Sequence, residues 1–496
     1  MRVGRQGLDM TFQPSSIVSG EVPRIHELPE VPDPLEALRR FVDLKGVLLF
    51  ESAQRHPHFG RHTFLVADPF LWSQVDRPTF GDDPLTHLSQ TLREFPASGV
   101  DGLPPFQGGA AGLLGYELGA VWERLEPRPD DPADIPALAV GIYDCVLAWD
   151  HVENRAWIIS QGYPARKPQE RRKRAGERLR WMLDRLAGPA RDAPSLGVFE
   201  LPRQPMSAQW PLDGRPDVTS TFSKTDYLAT VERIVEYICA GDVFQANLSQ
   251  QLRAPATLPA VDLYARLRAV NPAPFAGYFA GDRWAVLSAS PERFLHVRDR
   301  QVETRPIKGT RPRSADPAED ERLRLELSSS EKDRAENVMI VDLLRNDLSR
   351  VCRDGTIRVP QLCALETYET VHHLVSTIVG TLEQGRTAWD LLAACFPGGS
   401  ITGAPKVRAM EILRELEPTP RGPYCGSLFY VGFDGNCDSS LLIRTMAVRN
   451  DEIRIGVGGG VTAASDPAEE YDETLVKARG MLAALETPTI ERRQPT

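Results

Sequence analysis

The sequence lacks the features that would place the protein in a membrane or on nucleic acid. No run of eighteen apolar residues could span a bilayer, and residues 1–22 contain no apolar core typical of a signal peptide. No run of lysine and arginine forms a basic patch, and the formal net charge of -10 disfavours a nucleic-acid surface. We therefore expect a cytoplasmic globular protein that acts on small molecules.

Several common kinds of site are also missing. The seven cysteines are odd in number, scattered between Cys145 and Cys437, and contain no C-x-x-C pair, which favours reduced thiols over disulfides or a zinc site. The sequence has no G-x-G-x-x-G or G-K-[ST] nucleotide motif and no H-E-x-x-H, Ser/His/Asp or Cys/His arrangement. These absences disfavour nucleotide binding, zinc-dependent hydrolysis and nucleophilic catalysis by a serine or cysteine.

What remains is a long chain with a clear change of pattern along its length. We divide it into an N-terminal region (24–185), a linker rich in proline and glycine (186–221) and a more regular third region (222–488). In the third region, apolar residues at helical spacing end at Gly241. The pairs Asp434-Gly435 and Asn450-Asp451 predict hairpins, so the fold class is α+β with antiparallel sheets.

One predicted helix carries an acid on its apolar face. It follows the capping-box pattern Ser330-x-x-Asp333 and places Glu336 on an apolar stripe. A carboxylate buried alone would be very costly, so Glu336 needs a partner. A salt bridge, for instance with Arg345, and a divalent cation are the two alternatives, and this helix alone favours the salt bridge.

The last helix adds a second acidic face. Asp466 is a good N-cap, and Glu470, Glu473 and Lys477 then fall on one side. An exposed charged stripe is the commoner meaning of such spacing. Two acid-bearing helices nevertheless offer what magnesium requires, which is one or two carboxylates together with water and an anionic substrate.

Nine sequence blocks occur in the order found in chorismate-utilising enzymes. They are "GDVFQANLSQ", "SASPERF", "RPIKGTRP", "AENVMIVDLLRND", "VHHLVSTIVG", "PGGSITGAPKVRAM", "LLIRTM", "GVGGGV" and "YDETLVKAR". The sequence resembles this family and, within it, aminodeoxychorismate synthase component I, with anthranilate synthase component I as the nearest relative. The resemblance covers nearly all of residues 222–485 and, more loosely, 24–185.

The resemblance implies a large two-part layered α/β sandwich in which region 222–488 is the catalytic domain and binds chorismate, a dicarboxylate. It implies that Glu336 and Glu473, with Glu470 beside them, bind Mg²⁺, and that Glu292 is a general acid. The metal would anchor the ring carboxylate and neutralise charge. The residues implied to hold the substrate are Gly309, Thr310, His373, Ser400, Tyr424, Arg444, Gly458, Gly459, Gly460 and Lys477.

Two positions distinguish the reactions of the family. Isochorismate and salicylate synthases use a lysine to activate water where this chain has Gln245, which cannot serve as the base. Anthranilate synthases typically have alanine at the position of Lys308, whereas many aminodeoxychorismate synthases have lysine. The resemblance therefore implies that the neutral amine of Lys308 attacks ring C2 while Glu292 protonates the departing C4 hydroxyl. Ammonia would then enter at C4 and displace the lysine.

The ammonia needs a source. No cysteine has the G-x-C-x-G surroundings of a glutaminase nucleophile, so we expect a separate glutamine amidotransferase subunit. The resemblance also implies a tryptophan pocket formed by Ser52, Phe59, Gly60, Arg61, His62, Pro274, Phe275 and Ala276. Because "NPAPFAG" lacks the more usual tyrosine after its second proline, a regulatory pocket and a structural or vestigial one both stay open.

These observations favour the aminase component of aminodeoxychorismate synthase, which forms 4-amino-4-deoxychorismate for p-aminobenzoate and folate synthesis. The first alternative is anthranilate synthase component I, in which ammonia attacks C2 directly, for tryptophan synthesis. A non-catalytic tryptophan-sensing subunit is a further alternative. The presence of Glu292, Glu336, Glu473 and Arg444 argues against that last class.

Overall fold

The computed structural model describes residues 22–55, 59–125, 135–193, 208–368 and 371–486. Its strands in chain order are β1 (Arg24–Glu27), β2 (Leu48–Glu51), β3 (His62–Val66), β4 (Leu71–Val75), β5 (Gly109–Leu114), β6 (Leu138–Tyr143), β7 (Cys145–Asp150), β8 (Arg155–Ser160), β9 (Trp210–Leu212), β10 (Arg215–Ser220), β11 (Gln245–Pro255), β12 (Phe275–Ala280), β13 (Trp284–Ser290), β14 (Arg293–Arg298), β15 (Gln301–Thr304), β16 (Ile307–Pro312), β17 (Arg358–Thr367), β18 (Val371–Thr381), β19 (Gly403–Ala404), β20 (Ser427–Gly432), β21 (Cys437–Leu441), β22 (Thr445–Arg449) and β23 (Glu452–Val461).

The helices are α1 (Pro34–Leu38), α2 (Pro84–Arg93), α3 (Pro168–Ala187), α4 (Lys224–Cys239), α5 (Ala260–Val270), α6 (Pro317–Ser329), α7 (Glu331–Ser349), α8 (Ala388–Cys395), α9 (Lys406–Leu416) and α10 (Pro467–Leu485). Two 3₁₀ turns, Tyr116–Val121 and Gly399–Ile401, complete the secondary structure. Within the ranges that the structure describes, no helix is both long and apolar enough to cross a membrane.

The strands form two antiparallel sheets. Sheet 1 has 13 strands in the order β1-β8-β7-β3-β2-β12-β13-β22-β23-β11-β10-β9, with β19 paired to β11. Sheet 2 has 10 strands in the order β16-β18-β15-β14-β21-β20-β5-β6-β4, with β17 paired to β18. The β2–β12 pair in sheet 1 and the β5–β20 pair in sheet 2 each join a strand of region 24–185 to one of region 222–488. The two regions therefore build both sheets together.

The hydrophobic clusters show how the layers stack. One cluster takes Leu48 and Val286 from sheet 1 and Leu113 and Leu428 from sheet 2, so the two sheets pack face to face. A second cluster packs α1, α3, α5 and α10 against the other face of sheet 1, and a third packs α2, α7 and α8 against sheet 2. The two sheets therefore form the inner layers, and helices cover the outer face of each. This arrangement confirms the predicted α+β class and its layered sandwich.

The local signals in region 222–488 predicted two helix starts and two hairpins correctly. Ser330 caps α7 by accepting a hydrogen bond from the amide of Asp333, and Asp466 caps α10. The Asp434-Gly435 and Asn450-Asp451 pairs connect the hairpins β20–β21 and β22–β23. All seven cysteines are free in the structure, and six of them are buried.

The segment 186–221, predicted as a linker, contains regular structure at both of its described ends. Helix α3 continues to Ala187, and strands β9 and β10 extend the edge of sheet 1 beyond β11. Residues 194–207 lie outside the described residues. The sequence gave no periodic signal for β9 and β10, because prolines and glycines interrupt the alternation of apolar residues there. Such residues are tolerated because β9 and β10 lie at the edge of the sheet.

A close backbone approach in the middle of sheet 2 yields a test of the fold. A Cβ added at Gly112 on β5 would lie 2.0 Å from the carbonyl oxygen of Ala139, whereas a Cβ added at Gly176 on α3 meets nothing within 4 Å. We expect Gly112→Ala to destabilise the protein by about 1–3 kcal/mol, because the sheet backbone must shift. Gly176→Ala should stabilise it by up to about 1 kcal/mol. Thermal unfolding of both variants checks this, and equal melting temperatures would contradict it.

Candidate active site

Three segments of the chain meet at Lys308. The Nζ atom of Lys308, on β16, donates a hydrogen bond of 3.4 Å to the carbonyl oxygen of Ser400, in the 3₁₀ turn Gly399–Ile401. The hydroxyl of Ser400 in turn donates a bond of 3.4 Å to Oε1 of Glu292. The predicted nucleophile and the predicted general acid therefore flank one serine.

Glu292 lies where the chain crosses from one sheet to the other. Strand β13 belongs to sheet 1 and β14 to sheet 2, and Glu292 is in the short connection between them. Its side chain is buried, and desolvation raises its pKa to about 7 although Lys308, the Ile307 amide and Ser400 oppose the shift. With this pKa, a large fraction of the molecules has a protonated Glu292 near pH 7. That fraction is sufficient for general acid catalysis.

Arg444 lies at a second crossing between the sheets, from β21 in sheet 2 to β22 in sheet 1. Arg444 has a φ of +52°, which interrupts the extended backbone between β21 and β22. The interruption lets the chain change sheets, which a continuous strand could not do. Backbone bonds from Leu441 N to Glu292 O (3.0 Å) and from Ala289 N to Arg444 O (3.1 Å) tie the two crossings together.

His373 and Thr310 face each other across the β16–β18 pair. Oγ1 of Thr310 and Nδ1 of His373 are hydrogen-bonded at 2.9 Å. Burial, reinforced by the charge of Arg444, lowers the pKa of His373 to about 4, so the ring is neutral near pH 7. A neutral ring can donate or accept a hydrogen bond without adding charge to the site.

Gly309 causes the irregular register between Lys308 and Thr310. Its φ is +74°, and a Cβ there would lie 2.8 Å from Cδ1 of Leu327 and 2.9 Å from Cγ of Asp333. Only glycine fits this combination of backbone conformation and crowding. The resulting bulge sets the direction in which Lys308 leaves β16.

The three predicted metal ligands lie on α7 and α10. Desolvation raises the pKa values of Glu336 and Glu470, and the charge of Glu473 raises both further. Desolvation by itself would raise the pKa of Glu473. Lys477, with Nζ 2.7 Å from Oε1 of Glu473, reverses this effect, so the pKa of Glu473 is lowered overall. The contact between Lys332 on α7 and Glu470 on α10 shows that the two acidic helices face the same space.

Carboxylates are suitable ligands for magnesium, but these three do not form a complete set of ligands by themselves. Among residues 22–486 that the structure describes, no group of three or more His, Cys, Asp or Glu side chains is close enough to hold a metal ion. Nζ of Lys332 lies 3.7 Å from Oε1 of Glu470. A site with one or two carboxylates, waters and a substrate anion agrees with this arrangement, because magnesium usually keeps several waters.

The alternative partner proposed for Glu336 was wrong. Arg345 donates a hydrogen bond of 2.9 Å to Asp342 on its own helix and exposes about half of its side chain. The cations whose charges act on Glu336 are Lys308 and Lys332. Lys332 was missed in the sequence, although it precedes Glu336 by four residues, the spacing at which helical side chains are neighbours.

The glycine run forms the end of β23 and lies beside α10. Lys477 donates a hydrogen bond of 2.8 Å to the carbonyl oxygen of Gly458. A Cβ at Gly459 would lie 2.9 Å from Oε2 of Glu470, and Gly460 lies against the side chain of Gln245. Tyr424 is buried with its ring against Gly456 on the same strand. Because these three glycines have no side chains, α10 can lie close to this end of β23.

A neighbouring cavity contains most residues of the predicted tryptophan pocket. Its lining includes seven of the eight, which are Ser52, Phe59, Arg61, His62, Pro274, Phe275 and Ala276. Phe59, Pro274 and Phe275 also line a second cavity, together with His373 and Arg444. The predicted pocket therefore borders the candidate active site, and tryptophan binding stays a prediction.

The comparisons with known proteins show the family to which the chain belongs. The chain matches the family model for chorismate binding enzymes over residues 50–483. It is 42% identical over 407 residues to anthranilate synthase component 1 of Streptomyces coelicolor (82% of this chain, 78% of that protein). It is 41% identical over 457 residues to aminodeoxychorismate synthase component 1 of Klebsiella aerogenes (89% and 94%).

The fold matches a solved structure of the same kind. It aligns with the crystal structure of anthranilate synthase component I from Streptococcus pneumoniae with a TM-score of 0.72 and 29% sequence identity, covering 86% of this chain and 93% of that one. The chain belongs to the family of chorismate binding enzymes. It is a chorismate-utilising enzyme, and the choice between the two synthase types rests on individual residues of the site.

The buried carboxyl group of Glu292 makes stability depend on pH. Its pKa in the folded protein, about 7, lies above the ordinary 4.5, so ionisation costs the folded state free energy as pH rises between these values. Relative to Glu292→Gln, the parent should lose up to about 3 kcal/mol of unfolding free energy between about pH 4.5 and pH 7.5. Urea unfolding at several pH values measures the difference.

The exposed Glu326 on α6 supplies the control. Arg311 lowers the pKa of this carboxyl, so Glu326 is ionised throughout the same pH range. The stability difference between the parent and Glu326→Gln should therefore not change with pH. A difference for Glu292→Gln that is equally flat would show that Glu292 ionises freely in the folded protein.

Proposed function

We propose that this chain is the aminase component of an aminodeoxychorismate synthase, which converts chorismate and ammonia to 4-amino-4-deoxychorismate. The observation that carries the proposal is the position of Lys308, which shares Ser400 with Glu292. The charge of Lys308 also acts on Glu336 and Glu473 of the acidic helices. A ring bound between these groups would have an amine and a proton donor within its reach.

In the proposed reaction the neutral amine of Lys308 forms a bond to C2 of the ring. The ring double bonds shift, the C4–O bond breaks, and the departing hydroxyl takes a proton from Glu292 and leaves as water. Ammonia then forms a bond to C4, the double bonds shift back, and the C2–N bond to Lys308 breaks. The buried Glu292 supports this assignment, because its pKa of about 7 keeps part of the molecules protonated near neutrality and hydroxide leaves poorly without a proton.

The remaining residues of the site would hold the substrate. Arg444 has a planar guanidinium suited to a carboxylate, and the backbone of Gly458 to Gly460 can approach an anion closely. Neutral His373 with Thr310 would contact the ring side of the site. Lys477 would balance the charge of the substrate beside Glu473.

Magnesium would be held by Glu336 and Glu473, with Glu470 beside them. When bound, it would neutralise the carboxylates of the substrate and of the helices. Ammonia would come from a separate glutamine amidotransferase subunit in the cytoplasm, and the product would serve p-aminobenzoate and folate synthesis. Support for a partner comes from the relatives, which are each named as component 1 of a synthase.

Replacement of Lys308 tests the proposed nucleophile. We expect Lys308→Ala to reduce formation of aminodeoxychorismate by more than about 100-fold, the scale on which a single catalytic group acts. Anthranilate is the expected residual product, because ammonia can still attack C2 directly. The measurement is chromatography of products from chorismate, magnesium and ammonium, with and without added aminodeoxychorismate lyase.

Lys308→Arg is the matched control, because it keeps a cation but has no nucleophilic amine at neutral pH. It should lose aminodeoxychorismate formation as Lys308→Ala does. Unchanged rate and product in either variant would remove the nucleophile assignment. Anthranilate as the main product of the parent would instead assign the chain to anthranilate synthase, and no turnover of chorismate would favour the non-catalytic class.

A further inference from the structure

A buried ion pair lies next to the candidate active site but contains none of the residues assigned to it. Glu417 follows the end of α9, and Arg421 is four residues further on, with their side chains only 6% and 2% exposed. Nε and Nη2 of Arg421 donate hydrogen bonds of 2.9 and 2.6 Å to the two carboxylate oxygens of Glu417. The pair is therefore bidentate.

The other donors of the same guanidinium reach two separate parts of the backbone. Nη1 donates a bond of 2.8 Å to the carbonyl oxygen of Ile401, and Nη2 donates one of 2.5 Å to the carbonyl oxygen of Asn247. The ring of Tyr116 lies 4.5 Å from Cζ of Arg421. One planar group thus joins the 3₁₀ turn Gly399–Ile401 to strand β11.

Both of these backbone segments border the site. Ile401 directly follows Ser400, whose carbonyl oxygen and hydroxyl contact Lys308 and Glu292. Asn247 pairs with Gly460 of β23, so β11 sets the position of the three glycines Gly458 to Gly460, which are called the glycine edge below. The Arg421 guanidinium therefore lies between the part of the site that carries the reacting groups and the part that would bind the substrate.

Glu417 is itself fixed to β11. Its Oε1 accepts hydrogen bonds of 2.9 Å from both the amide and the hydroxyl of Ser249. Burying such a pair brings little net stability, because desolvation offsets the attraction between the charges, and apolar side chains of similar size often serve as well. Stability alone gives no reason for a charged pair at this place, whereas a need for fixed geometry does.

We propose that Arg421 is a positioning residue for chorismate turnover. It holds the Ser400 turn at a fixed distance from Asn247 of β11 and from the glycine edge of β23. The proposal rests on the candidate site used in the proposed function, but it does not depend on which amino product is formed. A lysine in place of Arg421 keeps the charge, but its single ammonium lacks the rigid fork needed to hold two carbonyl oxygens and a carboxylate.

The test compares Arg421→Lys with the parent in steady-state consumption of chorismate, with magnesium and ammonium present and all products counted together. We expect kcat to fall by about 10- to 100-fold, because small displacements of reacting groups are costly to the rate. KM for chorismate should change less than about threefold, since Arg444 and the glycine edge are retained. Total consumption is used so that a wrong assignment of the product would not affect the result.

Arg178→Lys is the matched control. Arg178 on α3 is also largely buried and pairs with the fully buried Asp144 at 3.3 Å, on the outer side of sheet 1 and away from the site. It should lower the melting temperature without lowering kcat by more than about threefold. If Arg421→Lys loses no more kcat than Arg178→Lys at a similar loss of melting temperature, Arg421 is only structural and the proposal is overturned.

Glu417→Gln answers the same question if Arg421→Lys does not fold. Its amide oxygen still accepts the bonds from Ser249, but the charged anchor for the guanidinium is lost. A lower kcat with an unchanged KM for chorismate would support the proposal. A kcat equal to that of the parent would overturn it.

Discussion

The candidate site depends on two places where the chain passes from one sheet to the other. Glu292 lies at the crossing from β13 to β14, and Arg444 lies at the crossing from β21 to β22. Backbone hydrogen bonds join the two crossings, so the proposed general acid and the proposed anion-binding group are fixed relative to each other. Because both sheets are large and packed face to face, these connections cannot move without disturbing the core.

The electrostatic design of the site balances several charges of each sign in a partly buried space. Glu336, Glu470 and Glu473 repel one another, and Lys308, Lys332 and Lys477 offset that repulsion. Glu292 stands apart from this group, because desolvation rather than a neighbouring acid raises its pKa. The acids of the two helices therefore suit a cation, whereas Glu292 suits proton donation.

The positioning proposed for Arg421 extends the same logic to the backbone. The site is assembled from β11, β16, β23, the Ser400 turn and two helices, which come from several separate parts of the chain. A buried guanidinium that binds the carbonyl oxygens of Ile401 and Asn247 adds a rigid side-chain connection beside the short β11–β19 pairing. Preorganisation of this kind matters most for enzymes that act through electrostatics and proximity.

The sequence by itself determined the local elements and the kinds of residue available for chemistry. Ser330 and Asp466 mark the starts of α7 and α10 because capping depends on neighbouring residues, and the Asp434-Gly435 turn marks its hairpin for the same reason. Only the tertiary structure decided that Ser400 meets Lys308 and Glu292, since it is 92 residues from the first and 108 from the second. It also decided that Arg444 lies at a crossing between the two sheets and that Lys332, rather than Arg345, faces the acids. These outcomes depend on how two sheets and their helices pack, and no local periodicity contains that information.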